Sequence, residues 1–325
     1  MEALLAVEQE LKRFQTFSDA CRKRWFPPFD IPDTITIGNP RKGCDKAVDL
    51  CLMAIVHGNE TAGLRAMNDV IEILLGLTED PGICLVFALG NSPAARRGLR
   101  FIEADLNRSF AASPSKLGAE VLRAKKLEAL LVSSRYFFDL HQTSQPSRTP
   151  FFIFPYSAEG LGLAAAVSTE LPVVTHWGPS FSKDGMCTDE FVNERGGFGI
   201  TIELGQNGMS EYCVGVGVRV LLRAIAAVKR VGTGRLRDEP LLSRLALYCW
   251  SQVIEKTDGA QLRAGLQNFM PVTAGEVIGS RSGGDIVAAD SGFILFPVYP
   301  NPLQSKDSNE LCRIIKAIGH DELPR

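Results

Sequence analysis

LCLMAIVHGNETAGLRAMNDVIEILLGL, residues 50–77, is the stretch that decides the fold. Its first seven residues are a continuous apolar run, which suits a strand buried on both faces. From Leu64 to Leu77 the apolar residues recur at helical spacing instead. His57 and Glu60 therefore stand where a buried strand hands over to a helix. The same alternation continues downstream. ICLVFAL at 83–89, YFFDL at 136–140, FFIF at 151–154, LPVVT at 171–175 and FGITIEL at 198–204 have the texture of strands. A charged amphipathic segment around 116–133 and an apolar one at 215–231 have that of helices. Upstream, residues 3–17 are helical in spacing until WFPPFDIPD at 25–33 breaks the pattern. Strands alternating with helices predict an α/β domain with a parallel or mixed sheet flanked by helices.

From about Leu245 the texture changes to short runs punctuated by Gly, Asp and Ser, as in GEVIG (275–279), GDIVAAD (284–290) and GFILFPV (292–298). The expected organisation is an α/β domain over 1–240 and a small β domain over 241–325, with the linker-like GTGRLRDEP (232–240) between them.

The 325 residues are 45% hydrophobic and 22% charged, values of an ordinary globular protein. A formal net charge of −2 supplies no field to attract nucleic acid or an anionic membrane. Recognition of an anion must therefore be local, through a few arginines. The N-terminus lacks the basic and long apolar regions of a signal peptide, and no run of about 18 apolar residues predicts a transmembrane helix. The eight cysteines form no CxxC pair, so a zinc ribbon is not expected, and they suit reduced thiols in the cytoplasm.

Only four histidines are present. His57 closes one strand, with Glu60 three residues on, and His141 closes another in YFFDLH (136–141). In open α/β sheets ligands gather beyond the carboxyl ends of the strands, so both can face one crevice. Two imidazoles and one carboxylate make a catalytic zinc set with a position open for water. HxxE by itself suits a capping residue and a polar strand end equally well. His176 in VVTHWGP (173–179) could substitute as a ligand or line a pocket, and His320 is expected at the surface.

A second constellation is RFIEADLNRSF, residues 100–110. Asn107 and Arg108 could hold a substrate carboxylate, Arg108 through its planar fork, and Arg100 could polarise a carbonyl. A solvated loop whose Asp105 pairs with an arginine fits the same residues. The third element is Glu203 in GITIELGQNG (199–208), a carboxylate in a buried run, costly unless paired or functional. It could carry protons as general base and then acid. Asp139, two residues before His141 and on the same strand face, is either a carboxylate that orients the imidazole or half of a structural ion pair.

HGNETAG (57–63), RFIEADLNR (100–108), DLHQT (139–143) and IELG (202–205), in that order, resemble the succinylglutamate desuccinylase/aspartoacylase family. QNFMPVTAGEVIG (267–279) and ILFP (294–297) are similar to the desuccinylase version of its small β domain. The resemblance implies a zinc carboxypeptidase-like fold and a cytoplasmic hydrolase that removes a short acyl group, succinyl or acetyl, from the amine of an acidic amino acid. It implies zinc at His57, Glu60 and His141, Glu203 as the catalytic glutamate and Arg100 as the oxyanion-stabilising arginine. Asn107 and Arg108 align with the pair that grips the substrate carboxylate. Tyr299 is a loose counterpart of a substrate-binding tyrosine, and Arg195, eight residues before Glu203, matches the family's arginine upstream of the glutamate only in an open register. The implied partner is a small N-acyl amino acid, with homo-oligomerisation left open. A metallocarboxypeptidase acting on short peptides and a non-catalytic carboxylate-binding protein remain as rival readings.

Overall fold

The computed structural model describes residues 2–324 apart from 78–79, 114–115, 146, 179, 182–184, 233, 235, 237–238 and 300–308. Helix α1 (Glu2–Cys21) buries Val7, Leu11 and Phe14 along one stripe. It is followed by β1 (Thr34–Ile37), β2 (Val48–Ala54), α2 (Ala62–Gly76), β3 (Leu85–Leu89) and α3 (Ser92–Arg97). Then come a 3-10 turn (Leu106–Arg108), α4 (Ala119–Val132), β4 (Ser134–Thr143), β5 (Phe151–Pro155), α5 (Ala158–Val167) and β6 (Val173–His176). Helix α6 (Thr188–Glu194), β7 (Phe198–Gln206), α7 (Glu211–Val231) and α8 (Glu239–Leu242) lead into the C-terminal segment.

Strand β2 is buried at every position, as a continuous apolar run requires. It pairs in parallel with β3 on one side and β4 on the other, and β4 pairs in parallel with β7. β1 closes the edge antiparallel to β3, and β5 enters antiparallel to β7 but parallel to β6. Side-chain alternation divides the mixed sheet into two faces. Leu50, Leu52, Phe138, Leu140, Ile200 and Ile202 pack with residues of α2, α5 and α7 in the larger core. Cys51, Met53 and Phe137 meet Leu127, Leu130 and Leu131 of α4 and Phe191 of α6 in a second core. Each fully buried Leu or Phe contributes roughly 1.5–3 kcal/mol, so the two layers fix the sheet rigidly. By the same alternation Asp139 and His141, and their partners Thr201 and Glu203 on β7, belong to the second face.

The C-terminal segment does not begin a separate sheet. Strand β8 (Leu247–Glu255) pairs in parallel with β6, from Val173↔Leu247 to Thr175↔Cys249. The main sheet continues through β14 (Glu310–Ile318), β13 (Gly292–Leu295) and β10 (Pro271–Val272), giving eleven strands among the described residues. β9 (Gln261–Leu262), β11 (Val277–Arg281) and β12 (Gly284–Val287) form a three-stranded sheet beside it. Leu262, Leu266, Ile278, Ile286 and Ile314 share a core of their own. That core supports a proposed unit at 241–325, although hydrogen bonding crosses its boundary; the 232–240 stretch lies partly outside the described residues. No helix among the described residues is long and apolar enough to cross a membrane.

Candidate active site

β2 and β4 run side by side as far as Ala54 opposite Leu140, where β2 ends and β4 continues to Thr143, so His57 lies just past one strand and His141 in the last residues of the other, at adjacent carboxyl ends. Between Ala54 and His57 the chain turns through Ile55, a β-branched residue at φ 50°. A left-handed β-branched residue costs on the order of 1–3 kcal/mol, which the fully buried surroundings of Ile55 must offset. The two glycines of HGNETAG have steric reasons. A Cβ on Gly58 would lie 2.3 Å from the Ala95 nitrogen of α3, and one on Gly63 would lie 2.9 Å from Leu140 Cβ. The loop is thus clamped between α3 and β4. Gln142 completes the clamp: its side-chain oxygen accepts from Ala62 N at the start of α2 (2.9 Å), and its backbone N–H donates to Glu60 Oε2 (3.0 Å).

Three side chains converge there. Glu60 Oε1 lies 2.8 Å from His57 Nδ1, Glu60 Oε2 lies 2.8 Å from His141 Nδ1, and the two Nδ1 atoms are 3.1 Å apart. All three residues are buried. Hydrogen bonds to Glu60 require protons on both Nδ1 atoms, and those protons would then face each other. A cation accepting the two nitrogen lone pairs and a carboxylate oxygen resolves the conflict, and two imidazoles plus one carboxylate suit zinc. The remaining ring nitrogens have carboxylate neighbours, as metal-ligating histidines commonly do. His141 Nε2 is 2.9 Å from Asp139 Oδ2, within ion-pair distance but without hydrogen-bond geometry. The same Asp139 oxygen accepts from Thr188 Oγ1 at 2.5 Å. His57 Nε2 sits between Asp105 Oδ1 (3.0 Å) and Arg100 Nη2 (2.7 Å), neighbours that favour opposite tautomers.

Glu203 pairs with His141 on the adjacent strand, is buried, and has an Oε2 without a hydrogen-bond partner. Burial and the nearby Glu60 charge push its carboxyl up to about 8. Burial also opposes ionisation of Glu60, but His57 and His141 overcome it and hold that carboxyl well below the usual range. His141 is likewise desolvated, yet Asp139 and Glu60 hold its pKa well above the ordinary value, so a metal must displace a proton there. One carboxylate is set to remain ionised and the other to hold a proton. Such separation is how paired carboxyls take different roles.

Arg100 contacts the cluster directly, with Nη1 3.1 Å from Glu60 Oε1 and Nη2 3.3 Å from Asp105 Oδ2. Asp105 caps the 3-10 turn by accepting from Asn107 N (2.8 Å). Asn107 Oδ1 accepts from Thr188 N at 3.0 Å, and its amide nitrogen has no partner among the described residues. Arg108 is partly exposed. Its Nη1 donates to Asn107 O (2.7 Å) and Cys187 Sγ (3.1 Å), and its guanidinium lies 5.4 Å from the Phe181 ring centre.

Other residues singled out in the sequence lie elsewhere. Arg195 follows α6 at the N-terminal end of β7, opposite to Glu203, bonded to Phe191 O (3.2 Å) and resting on the Phe191 ring. His176 stacks on Trp250 with ring centres 4.1 Å apart. The Tyr299 hydroxyl donates to Arg263 O (2.8 Å) and accepts from Leu266 N (2.7 Å). His320 is exposed. Sequence reasoning did not foresee Asp105 beside His57, nor Phe181 and Cys187 around Arg108. The last two are 73 and 79 residues from Arg108, and no local signal joins them.

Known proteins resemble this chain in sequence and in fold. A family model described as the succinylglutamate desuccinylase/aspartoacylase catalytic domain matches residues 46–213, more than half of the chain. A succinylglutamate desuccinylase of Ectopseudomonas mendocina (strain ymp) is 27% identical over 330 residues, covering 93% of this chain and 92% of the relative. One from Serratia proteamaculans (strain 568) is 30% identical over 221 residues, 62% of each chain. Among solved structures, a succinylglutamate desuccinylase from Vibrio parahaemolyticus has a TM-score of 0.66 at 18% identity, covering 86% of this chain and 85% of that one. Murine aminoacylase 3 has a TM-score of 0.58 at 16% identity, covering 83% and 96%. At these identities the structures establish a common fold, and the family model establishes kinship. The chain belongs to the succinylglutamate desuccinylase/aspartoacylase family.

Proposed function

We propose that the protein is a zinc-dependent amidohydrolase that removes a short acyl group, succinyl or acetyl, from the amine of an acidic amino acid. The observation that carries this reading is the convergence of His57, Glu60 and His141 beside Glu203, a buried carboxylate whose proton affinity is raised. His57, Glu60 and His141 are the residues that would hold the ion, with Asp105 and Asp139 beside the outer nitrogens of the two imidazoles. When bound, zinc supplies Lewis acidity, lowering the pKa of a water toward about 7 and drawing charge from a carbonyl oxygen.

The chain's own residues do the rest. Glu203 takes a proton from the water as its oxygen bonds to the acyl carbon. Arg100 stabilises the negative charge that develops on the carbonyl oxygen. The C–N bond then breaks as Glu203 returns its proton to the leaving amine, giving a free carboxylate and an amino acid. Asn107 and Arg108 grip a carboxylate of the substrate and orient the amide. With an ion held by the three neighbouring side chains, Glu203 would give up its proton more readily and so approach the working range of a general base.

The rival peptidase reading is disfavoured by what surrounds Glu203. Its partner on β5, Phe151, is packed against Phe269 and Phe296 of the C-terminal segment, with ring centres 5.2 and 5.7 Å away. The C-terminal segment therefore packs against the strand beside Glu203, and we infer that this cover leaves less room for an extended peptide than for a small substrate. A purely binding role leaves Glu203 without a reason to be buried unpaired. We place the enzyme in the cytoplasm, in keeping with eight free thiols. A screen of N-acetyl and N-succinyl derivatives of Asp and Glu beside a short peptide tests the reading. Turnover of at least one N-acyl amino acid is expected, and turnover of the peptide alone would overturn it.

A further inference from the structure

One buried charge has no part in the chemistry above. Arg313 on β14 is 2% exposed. Its Nε and Nη2 both donate to Glu310, each at 2.7 Å, and Nη2 also donates to Phe181 O at 2.8 Å. Its guanidinium carbon lies 3.9 Å from the Phe181 ring centre and 4.5 Å from that of Trp250. Burying an arginine is costly unless it is paired, so its location needs a reason. Phe181 supplies one, because the same ring also lies against Arg108.

Arg108 needs such support. Both of its hydrogen bonds run through Nη1, to a backbone carbonyl and to a thiol, and it has no carboxylate partner among the described residues. Among the described residues its remaining donors are unengaged, and besides the Asn107 carbonyl its plane rests on Phe181 and Cys187. Both precede α6 in the chain. Glu190 of that helix accepts from Phe181 N at 2.5 Å and from Cys187 N at 3.2 Å. Arg313 joins Phe181 to the C-terminal strand. Burial disfavours the charge on Arg108, while Cys187, Asp105, Glu190 and Glu310 favour it, so the two arginines share one electrostatic neighbourhood.

We propose that Arg313 is a positioning residue for substrate recognition: through Phe181 it sets the orientation in which Arg108 presents its fork to the substrate carboxylate. This rests on the carboxylate-binding role of Arg108 proposed above and adds that the C-terminal strand controls it. The fork must be planar to a carboxylate to donate two hydrogen bonds, so a loosened ring beneath it weakens binding more than it slows bond breaking.

The test is a double-mutant cycle on the zinc-loaded enzyme, using the N-acyl amino acid that the wild type hydrolyses best. Arg313→Gln should raise KM about tenfold with kcat within about twofold, the scale of a desolvated cation–π contact. Arg313→Lys, which keeps a cation near Phe181 and Glu310, should recover part of the loss. In an Arg108→Lys background Arg313→Gln should add less than about twofold, because coupled residues are not additive. Should Arg313→Gln fold poorly, Phe181→Leu must show the same rise in KM and the same non-additivity. Effects that multiply in the double variant, or a fall in kcat with KM unmoved, overturn the proposal. A KM that rises for Arg108→Lys but not for Arg313→Gln or Phe181→Leu sinks this inference alone. A KM unmoved by Arg108→Lys sinks the carboxylate reading and this inference with it.

Discussion

The loop at 57–63 and the loop at 100–108 face the same site but are held differently. In the first, every residue but Asn59 is buried, and two glycines press the backbone against α3 and β4. In the second, only Leu106 and Asn107 are buried, and Arg108 leans on a thiol and an aromatic ring contributed by a distant stretch. On the proposed assignment the metal ligands, which require fixed distances, are built into a close-packed core. The proposed substrate grip has to admit and release a ligand, so its donors stay accessible and its geometry comes from neighbours that can be varied. If the assignment holds, chemistry and selectivity are separable, and substitutions should separate them.

The largest effect belongs to the rigid side of the site. Glu203→Gln keeps the size of the side chain but cannot carry the proton, and kcat should fall by about 10²–10⁴-fold. Zinc content by elemental analysis and the thermal midpoint should stay at wild-type values, since Glu203 is not among the three proposed ligands. A near-normal kcat would assign the base elsewhere, with Asp105 next in line. The accessible loop should respond more mildly and in a different parameter. Arg108→Lys retains charge but loses the planar fork, costing on the order of 1.5–3 kcal/mol of substrate binding. Steady-state kinetics should show this as a raised KM with an unchanged thermal midpoint. A loss confined to kcat would mean that the grip forms only in the transition state.

Gly63→Ala probes the buried loop itself. The added methyl would meet Leu140 Cβ at 2.9 Å and Ala54 Cβ at 3.1 Å, so packed apolar atoms must shift. Overpacking of this kind costs about 1–3 kcal/mol, and calorimetry should record a midpoint several degrees lower with KM little changed. If instead KM rose and stability held, the buried loop would be less rigid than its contacts indicate.

How much of this could be read from the sequence follows the range of the interactions. The strand–helix alternation and the strand ends bearing His57 and His141 are local patterns, and the strands meet as periodicity requires. Asp139 shares a face with His141 by simple alternation, and the structure brings it within 2.9 Å of that ring. Long-range pairing was not legible. Strand β8 joins β6 across some seventy residues, and nothing in either segment names the other; hence a texture change near Leu245 marked a new unit but not its continuation of the sheet. Asp105 read as a plausible ion-pair partner, while its place beside His57 depends on the turn it caps. Phe181 and Arg313 are 132 residues apart, and only the folded chain shows that both touch the environment of Arg108.

Hydrolysis of an N-acyl amino acid is proposed to depend on one zinc held by His57, Glu60 and His141. The most direct measurement strips the protein with a chelator, restores zinc in known increments, and follows hydrolysis of N-succinylglutamate and N-acetylaspartate. Activity on at least one should rise linearly and break at one zinc per chain, and His57→Ala should show no such rise. Undiminished activity in the stripped protein, or a titration that His57→Ala leaves unchanged, would contradict it.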